Sequence, residues 1–131
     1  MRGMSLLLAA AALSSCSTAP QHRSANAENE LRMALEGKVA QRAVSCLPRF
    51  RSSDMQVIDD GTLLFRDGRT VYRNDLNGGT CSGLRSGNTL VTRQFGPLCR
   101  GDIAHVVNVS TGMTLGSCVI GDFVPYSMPR G

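Results

Sequence analysis

Residues 55–74 decide the fold of this chain: MQVIDDGTLLFRDGRTVYRN. The stretch holds two Asp-Gly pairs, Asp60-Gly61 and Asp67-Gly68, and such pairs favour tight hairpin turns because their residues tolerate positive φ. The segments before, between and after the pairs are short and rich in apolar and β-branched residues, as strands are. The stretch therefore predicts a three-stranded antiparallel meander with strands over 55–58, 62–66 and 70–74.

Further strand patterns follow the meander. We expect strands over 89–93, 103–109 and 113–120, the last with a bulge at Gly116, after which Phe123-Val124 leads into a proline-limited tail. The run 103–109 is apolar on both faces, so we expect it to be central in its sheet. This spacing predicts a mainly β fold, a small antiparallel barrel or sandwich of five to seven short strands over residues 46–125. Residues 126–131 are expected to form a disordered tail.

The stretch before the β domain has helical periodicity. Apolar residues recur there at spacings of three and four, which places them on one stripe: Leu31, Ala34, Leu35, Val39 and Ala43. We expect an N-terminal helical segment over 27–45 that packs on the β domain. Asn26 is a candidate N-cap, and Gly37 allows two shorter helical pieces instead of one.

The first sixteen residues have the layout of an export signal. Arg2 precedes an apolar run that ends in Leu13-Ser14-Ser15-Cys16. This end resembles the lipobox of bacterial lipoproteins, which implies cleavage after a signal peptide of residues 1–15 and a lipid on Cys16. The run covers roughly ten residues whereas a membrane span needs about 20, so a transmembrane helix is disfavoured. An ordinary secretory signal is the alternative.

The polar residues 16–26 are predicted to form a flexible tether between the lipid anchor and the domain. Residue 17 is a serine. In lipoproteins an aspartate there favours retention in the inner membrane, so the resemblance implies the periplasmic face of the outer membrane.

Four cysteines remain for the domain: Cys46, Cys81, Cys99 and Cys118. An even number in a small exported domain predicts two disulfides. Three pairings are open, and we favour the nested one, Cys46 with Cys118 and Cys81 with Cys99, because the first and last strands of small barrels are often neighbours. A zinc site is disfavoured because no Cys-x-x-Cys pair occurs. No metal and no cofactor is predicted.

The charge of the chain gives a weak indication of ligand binding. The formal net charge of +4 becomes +3 once Arg2 is lost with the signal. The chain has neither a basic helix nor an aromatic-rich strand pair, so we expect no nucleic-acid partner. Four arginines fall on or beside predicted strands and are candidate anion-binding residues, with Arg73 and Arg93 placed to share one exposed face: Arg66, Arg69, Arg73 and Arg93. A solvated, aggregation-resistant sheet face is the alternative.

Few residues are candidates for catalysis. His105 is the only histidine of the domain, and no nucleophile motif accompanies it. The acids Asp59-Asp60, Asp102 and Asp122 could bind calcium or hydrolyse glycosides, but three of these four adjoin a glycine. They therefore indicate turns first, and we predict no catalytic residue.

Several segments together resemble a group of uncharacterised short proteobacterial lipoproteins with a four-cysteine domain of unknown function. The resemblance covers roughly residues 45–124 and is carried by the lipobox, Cys46 and four segments: residues 57–63, 72–76, 98–103 and 118–120. It implies no activity and no functional residues.

Taken together, these features predict an envelope lipoprotein whose β domain binds or scaffolds without catalysis. The expected partners are the membrane, through Cys16, and another envelope protein or an anionic glycan or lipid. The alternative is a periplasmic enzyme or a small anionic-ligand-binding protein that uses an arginine-lined or acidic pocket.

Overall fold

The computed structural model describes residues 23–48, 54–79, 81–93 and 95–130. Within them the chain forms one N-terminal helix and nine strands in two antiparallel sheets, which confirms the predicted mainly β fold. The elements are α1 (Ala25–Ala34), β1 (Val39–Ala40), β2 (Met55–Asp59), β3 (Thr62–Asp67), β4 (Thr70–Asp75), β5 (Gly78–Gly79), β6 (Thr89–Thr92), β7 (Ile103–Val107), β8 (Thr114–Val119) and β9 (Phe123–Ser127). A short 3-10 turn spans Leu84–Ser86.

The five-stranded sheet is built around the predicted meander. Its strand order is β1-β9-β4-β3-β2. The turn at Gly68 has φ +60°, a conformation that glycine adopts without the steric cost of a Cβ. A register shift between Val57 and Asp59 leaves Ile58 as a bulge at the end of β2.

Alternation along β3 gives this sheet two buried faces. Leu63 and Phe65 pack into the core between the two sheets, whereas Leu64 belongs to a second cluster under α1. Successive strand residues point to opposite faces, so the continuous apolar run in β3 reflects cover on both sides. The resulting layers are α1, the five-stranded sheet and the four-stranded sheet.

The four-stranded sheet has the order β5-β8-β7-β6. Strand β7 is one of its two inner strands, in line with the central position that the sequence predicts. Val106 pairs with Gly116 and Val107 with Thr114, so the bulge lies at Leu115, next to the predicted glycine. The two sheets form a sandwich, and Phe65 meets Phe123 edge to face in its core at a centroid distance of 5.7 Å.

The helix is shorter than predicted. The Ser24 hydroxyl, not Asn26, caps α1 by accepting from the Ala27 amide at 3.2 Å, and α1 ends at Ala34. The prediction of helix over 35–45 is wrong because Gly37 turns the chain at φ +70° and Val39–Ala40 pairs with β9. Pairing with β9 gives the backbone N–H and C=O groups of this segment hydrogen-bond partners outside a helix. No helix in the described residues is long and apolar enough to cross a membrane.

The end of the chain is more ordered than predicted. Tyr126 pairs with Val71 and with Ala40, and Ser127 pairs with Val39. The first two residues of the predicted tail, 126–127, therefore belong to a strand inserted between β1 and β4.

The nested disulfide pairing is wrong. Cys46 is bonded to Cys99, and Cys81 to Cys118, with Cα–Cα distances of 4.0 Å and 5.3 Å. The nested prediction placed Cys46 beside the last strands at Cys118. The chain around Cys46 instead forms a bridge with Cys99, reinforced by a hydrogen bond from the Leu47 amide to the Leu98 carbonyl at 2.8 Å.

The second bond follows from β5, a strand that the glycine-rich sequence of this segment does not indicate. Gly79 in β5 pairs with Cys118 in β8, and this register brings Cys81 beside its partner. Cys81 and Cys118 are fully buried, whereas Cys46 is exposed. We call Cys81–Cys118 the core disulfide and Cys46–Cys99 the outer disulfide.

Candidate functional site

A charged cleft of about 640 Å³ opens where the chain entering α1 crosses the turn between β2 and β3. Most of the side chains that line it are polar or charged. The lining residues are Arg23, Ser24, Asp59, Asp60, Gly61, Thr62, Asp75, Leu76, Gly79 and Arg85. We call this concavity the charged cleft.

Arg23 organises one wall of the charged cleft. Its Nε donates to Asp59 Oδ2 at 2.7 Å and its Nη2 to Thr62 Oγ1 at 2.6 Å. Nη1 lies 3.3 Å from Glu28 Oε2 in the first turn of α1. One guanidinium with several fixed donors can hold all three partners at once. The start of the helix is thereby fixed to the β2–β3 turn.

Thr62 connects the hydrogen bonds of Arg23 to Asp75. Thr62 and Asp75 are cross-strand partners between β3 and β4, and the Thr62 hydroxyl donates to Asp75 Oδ1 at 2.7 Å. Thr62 is buried at 2% exposure, so its hydroxyl needs these partners. Asp75 also accepts from Arg73 Nε at 2.9 Å, and its carboxylate is therefore shared between a hydroxyl and a guanidinium.

The electrostatics of the cleft favour the ionised form of Asp59. Burial would raise the pKa of the Asp59 carboxyl. The hydrogen bond from Arg23, the backbone amides of Gly61 and Thr62 and the Arg23 charge outweigh that effect, so the pKa lies below its ordinary value. Burial opposes the charge on Arg23 in the same way, but its bonds and attraction to Asp59 and Glu28 raise its pKa.

Arg85 also lines the charged cleft. Its Nη1 donates to the Ile58 carbonyl at 2.8 Å and its Nη2 to Glu30 Oε1 at 2.7 Å. It therefore ties the 3-10 turn to both β2 and α1. The Asp60 side chain is exposed and has no ion-pair partner among the described residues. The lining thus carries three aspartates and two arginines. Arg23 pairs with Asp59 inside the lining, whereas Asp75 and Arg85 pair with Arg73 and Glu30 outside it.

The chemistry of this lining suits binding. The Ser24 hydroxyl is engaged in the helix cap and the Thr62 hydroxyl in the bond to Asp75. No group of three or more metal-ligating side chains occurs among the described residues. The arrangement can recognise a small polar solute through the Asp60 carboxylate and the outer faces of the arginines.

The predicted anion-binding arginines do not converge. Arg66 is exposed on β3 and donates to Gln56 Oε1 at 2.7 Å, and Arg69 is exposed in the turn that follows. Arg73 is on β4 and is bound to Asp75. Arg93 follows β6, which belongs to the other sheet. The expectation that Arg73 and Arg93 share one face is therefore wrong.

The remaining candidate residues also lie outside the charged cleft. His105 Nδ1 lies 2.9 Å from Ser117 Oγ across β7 and β8, on the side of the sheet away from the core. Asp102 accepts from the Cys99 amide at 2.8 Å, and Asp122 lies 3.3 Å from Arg100. Asp102 therefore stabilises a turn, in line with its glycine neighbour, whereas Asp122 forms an exposed ion pair between two loops.

Most residues of the charged cleft were not recognisable from the sequence. Arg23 lies in the predicted tether, and Thr62, Asp75 and Arg85 were not singled out. They converge through sheet register and the return of the chain at the 3-10 turn, which are long-range features. One local signal existed, because Arg23 immediately precedes the Ser24 cap.

The charged cleft has to be interpreted from its own chemistry. Comparison of the chain with protein-family models, with curated proteins and with solved structures gave no match in any of the three. The resemblance to short proteobacterial lipoproteins stays a prediction.

Proposed function

We propose that this protein is an envelope lipoprotein, anchored by a lipid on Cys16, whose β domain binds or scaffolds other envelope components. The observation that carries the proposal is the pairing of the four domain cysteines in two disulfides. Disulfides persist in oxidising compartments outside the cytoplasm. Their formation leaves Cys16 as the one cysteine of the sequence available for acylation. Cys16 lies outside the described residues.

The anchor would hold the domain close to the membrane. Seven residue steps separate Cys16 from Arg23, and a chain of that length reaches at most about 25 Å. Arg23 is fixed to the domain through Asp59 and Thr62, so the effective tether ends there and not inside α1. The N-terminal end of α1 and the charged cleft then face the periplasmic surface of the outer membrane.

A binding role fits the site better than catalysis. A catalytic site requires a nucleophile or an acid–base pair positioned in a concave pocket. In the described residues the histidine lies on the outer face of the four-stranded sheet, whereas two of the three carboxylates of the charged cleft, Asp59 and Asp75, are already paired with guanidinium groups. The domain therefore supports recognition through its surfaces.

The anchor is tested by mass spectrometry of the amino-terminal peptide from native membranes. We expect a peptide that begins at Cys16 and carries diacylglycerol and an amide-linked acyl chain. A Cys16→Ser variant should lose both lipids and leave the membrane fraction. An unmodified amino terminus upstream of position 16 would refute the proposal.

The membrane assignment is tested by a second variant. Ser17→Asp should move the protein from the outer to the inner membrane fraction, whereas Ser17→Thr should leave it in place. Equal distribution of the two variants would contradict the outer-membrane assignment while leaving the lipid anchor intact.

A second candidate function is the binding of a small solute in the charged cleft. Its volume of about 640 Å³ is in the range of small-molecule sites, which is roughly 300–1,000 Å³. The three aspartates and two arginines of the lining give it one net negative charge, so a cationic group is favoured over the anion that the sequence suggested. Titration with putrescine should shift the amide resonances of Gly61 and Gly79, and Asp60→Asn should weaken the effect. Equal shifts with phosphate would contradict this assignment.

A further inference from the structure

Each sheet of the sandwich has two edge strands, and three of these four edges are protected. Strands β1 and β5 are two residues long, and β5 is followed by the core disulfide. At the β2 edge, the bulge at Ile58 interrupts the ladder of hydrogen bonds, and Arg85 donates a hydrogen bond to the Ile58 carbonyl. Short length, bulges and covering side chains are the usual means by which soluble proteins prevent edge-to-edge pairing.

The fourth edge, β6, lacks these protections in the described part of the chain. Its sequence is Thr89-Leu90-Val91-Thr92, without proline or charge, and its register with β7 is continuous. Its strand neighbour among the described residues is β7 alone. In an antiparallel pair, alternate residues direct both their N–H and C=O groups away from the partner. Two of the four residues of β6 therefore present backbone donors and acceptors to an incoming strand.

The face next to this edge carries exposed apolar side chains beside His105 and Ser117, which lie across β7 and β8 from Val91. Leu90, Ala104 and Cys118 point into the core, so Val91 and Ile103 lie on the outer face of the sheet with 39% and 55% exposure. Leu115 at the bulge is 50% exposed. Exposed apolar surface beside an unpaired strand is typical of an interaction site.

We propose that β6 pairs with β6 of a second copy of this chain, antiparallel and about a two-fold axis, so that two four-stranded sheets become one continuous sheet. A two-fold axis normal to the sheet keeps each outer face on the same side, so side chains of equal orientation must pair. The axis then lies between the two copies of Leu90, or between the two copies of Val91, so that this residue pairs with itself. The proposal concerns the folded domain and does not depend on the lipid anchor.

Pairing of β6 with a second copy brings no like charges together. With the axis at Val91, Arg93 lies opposite Thr89 of the second copy, and with the axis at Leu90 it lies opposite Gly87. In neither register do the two copies of Arg93 face each other, and β6 itself has no charge. Like charges directly opposite each other destabilise a strand pair. This strand avoids that repulsion when it pairs with itself.

The contact is small, so we expect weak association in solution, with a dissociation constant on the order of 100 µM. Attachment of both copies to one membrane would raise their effective concentration and increase the dimer population.

The test uses the full mature chain with Cys16→Ser, so that a lipid cannot drive association. Sedimentation equilibrium from about 10 µM to about 1 mM brackets the expected affinity and should show a monomer–dimer equilibrium. Amide hydrogen exchange at the same concentrations should show protection that rises with concentration at two residues of β6, with no change in β2. A chain that stays monomeric, or a dimer without protection in β6, overturns the proposal.

Two matched variants locate the contact. Val91→Lys places charges against the second copy and should weaken dimerisation at least tenfold. Val39→Lys makes the same change at a valine of similar exposure on the edge strand β1 and should leave the dimer unchanged. Equal effects of the two variants, or no effect of Val91→Lys, would place the contact elsewhere and overturn the proposal. Unchanged thermal midpoints establish that both variants fold.

Discussion

Replacing Asn74 by alanine should destabilise the domain more than most single substitutions. Asn74 is fully buried on β4. Its Nδ2 donates to the Gly121 carbonyl at 2.8 Å, and its Oδ1 accepts from the Gly121 amide at 3.0 Å. One side-chain amide therefore satisfies both backbone groups of a residue in the turn between β8 and β9. Because Gly121 is itself buried, the loss of the amide leaves both groups without a partner.

The expected loss of stability follows from the N–H and C=O groups of Gly121. An unsatisfied buried donor or acceptor costs about 1–3 kcal/mol, so the two together cost about 2–6 kcal/mol. Water that enters the space of the missing side chain recovers part of this, and we expect the free energy of unfolding to fall by about 3 kcal/mol. Small domains are stable by only about 5–15 kcal/mol in total, so the variant should lose a large fraction of its stability.

The assay is equilibrium unfolding in urea, followed by circular dichroism with both disulfides intact. Asn77→Ala is the matched control, because Asn77 is exposed, and it should stay within about 0.5 kcal/mol of the wild type. For Asn74→Ala, a fall in the free energy of unfolding of less than about 1 kcal/mol, with an unchanged slope of that free energy against urea concentration, would show that this amide does not hold the two segments together.

Three further predictions concern the packing, the charged cleft and the disulfides. Gly121→Ala should unfold the domain or cost about 3 kcal/mol or more, because a Cβ would overlap the Asp75 carbonyl oxygen, whereas Gly61→Ala, whose nearest neighbour is 3.6 Å away, should be mild in thermal unfolding. The lowered pKa of Asp59 means that its stabilising effect is complete above the ordinary aspartate pKa of about 3.9 and is lost as the pH falls through the folded value. Asp59→Asn should therefore reduce the loss of free energy of unfolding at acid pH by less than about 1 kcal/mol, since the site is partly solvated. An equal reduction in the control Asp60→Asn would contradict this prediction. Mild reduction followed by alkylation and peptide mapping should open the outer disulfide before the core disulfide. The two bonds close 53 and 37 residues, for which the loop-entropy model gives about 4 kcal/mol each, so exposure decides the order, and simultaneous opening would contradict it.

Local patterns determined the three strands of the meander with good accuracy. The Asp-Gly pairs placed both turns of the meander, and the predicted strands 55–58, 62–66 and 70–74 differ from β2, β3 and β4 by one residue at most. Turn conformation and side-chain alternation are properties of neighbouring residues, which is why they are recognisable without the fold. The inner position of β7 was also predicted, from its apolar residues on both faces, although its outer face is open in the structure, with Ile103 55% exposed.

Periodicity was misleading where a distant strand competed for the backbone. The apolar spacing over 35–45 predicted helix, but Val39 and Ala40 pair with β9, almost ninety positions later. The last strand also extends further than its own residues indicate, because Tyr126 and Ser127 pair with β1 and β9 lies between β1 and β4. The partner of a short extended segment depends on which edge is within reach, and this is not encoded in its own residues.

The sequence by itself determined the class of fold, the turns, the even number of domain cysteines and the features that predict export and a lipid on Cys16. Only the tertiary structure decided which cysteines are bonded, that Arg23 joins Asp59 and Thr62 in the charged cleft, and that β6 is an edge strand of its sheet. The physical reason is distance along the chain. A turn or a strand follows from forces between adjacent residues, whereas a disulfide, a cleft or a sheet edge depends on contacts between segments that meet only after the sheets have assembled.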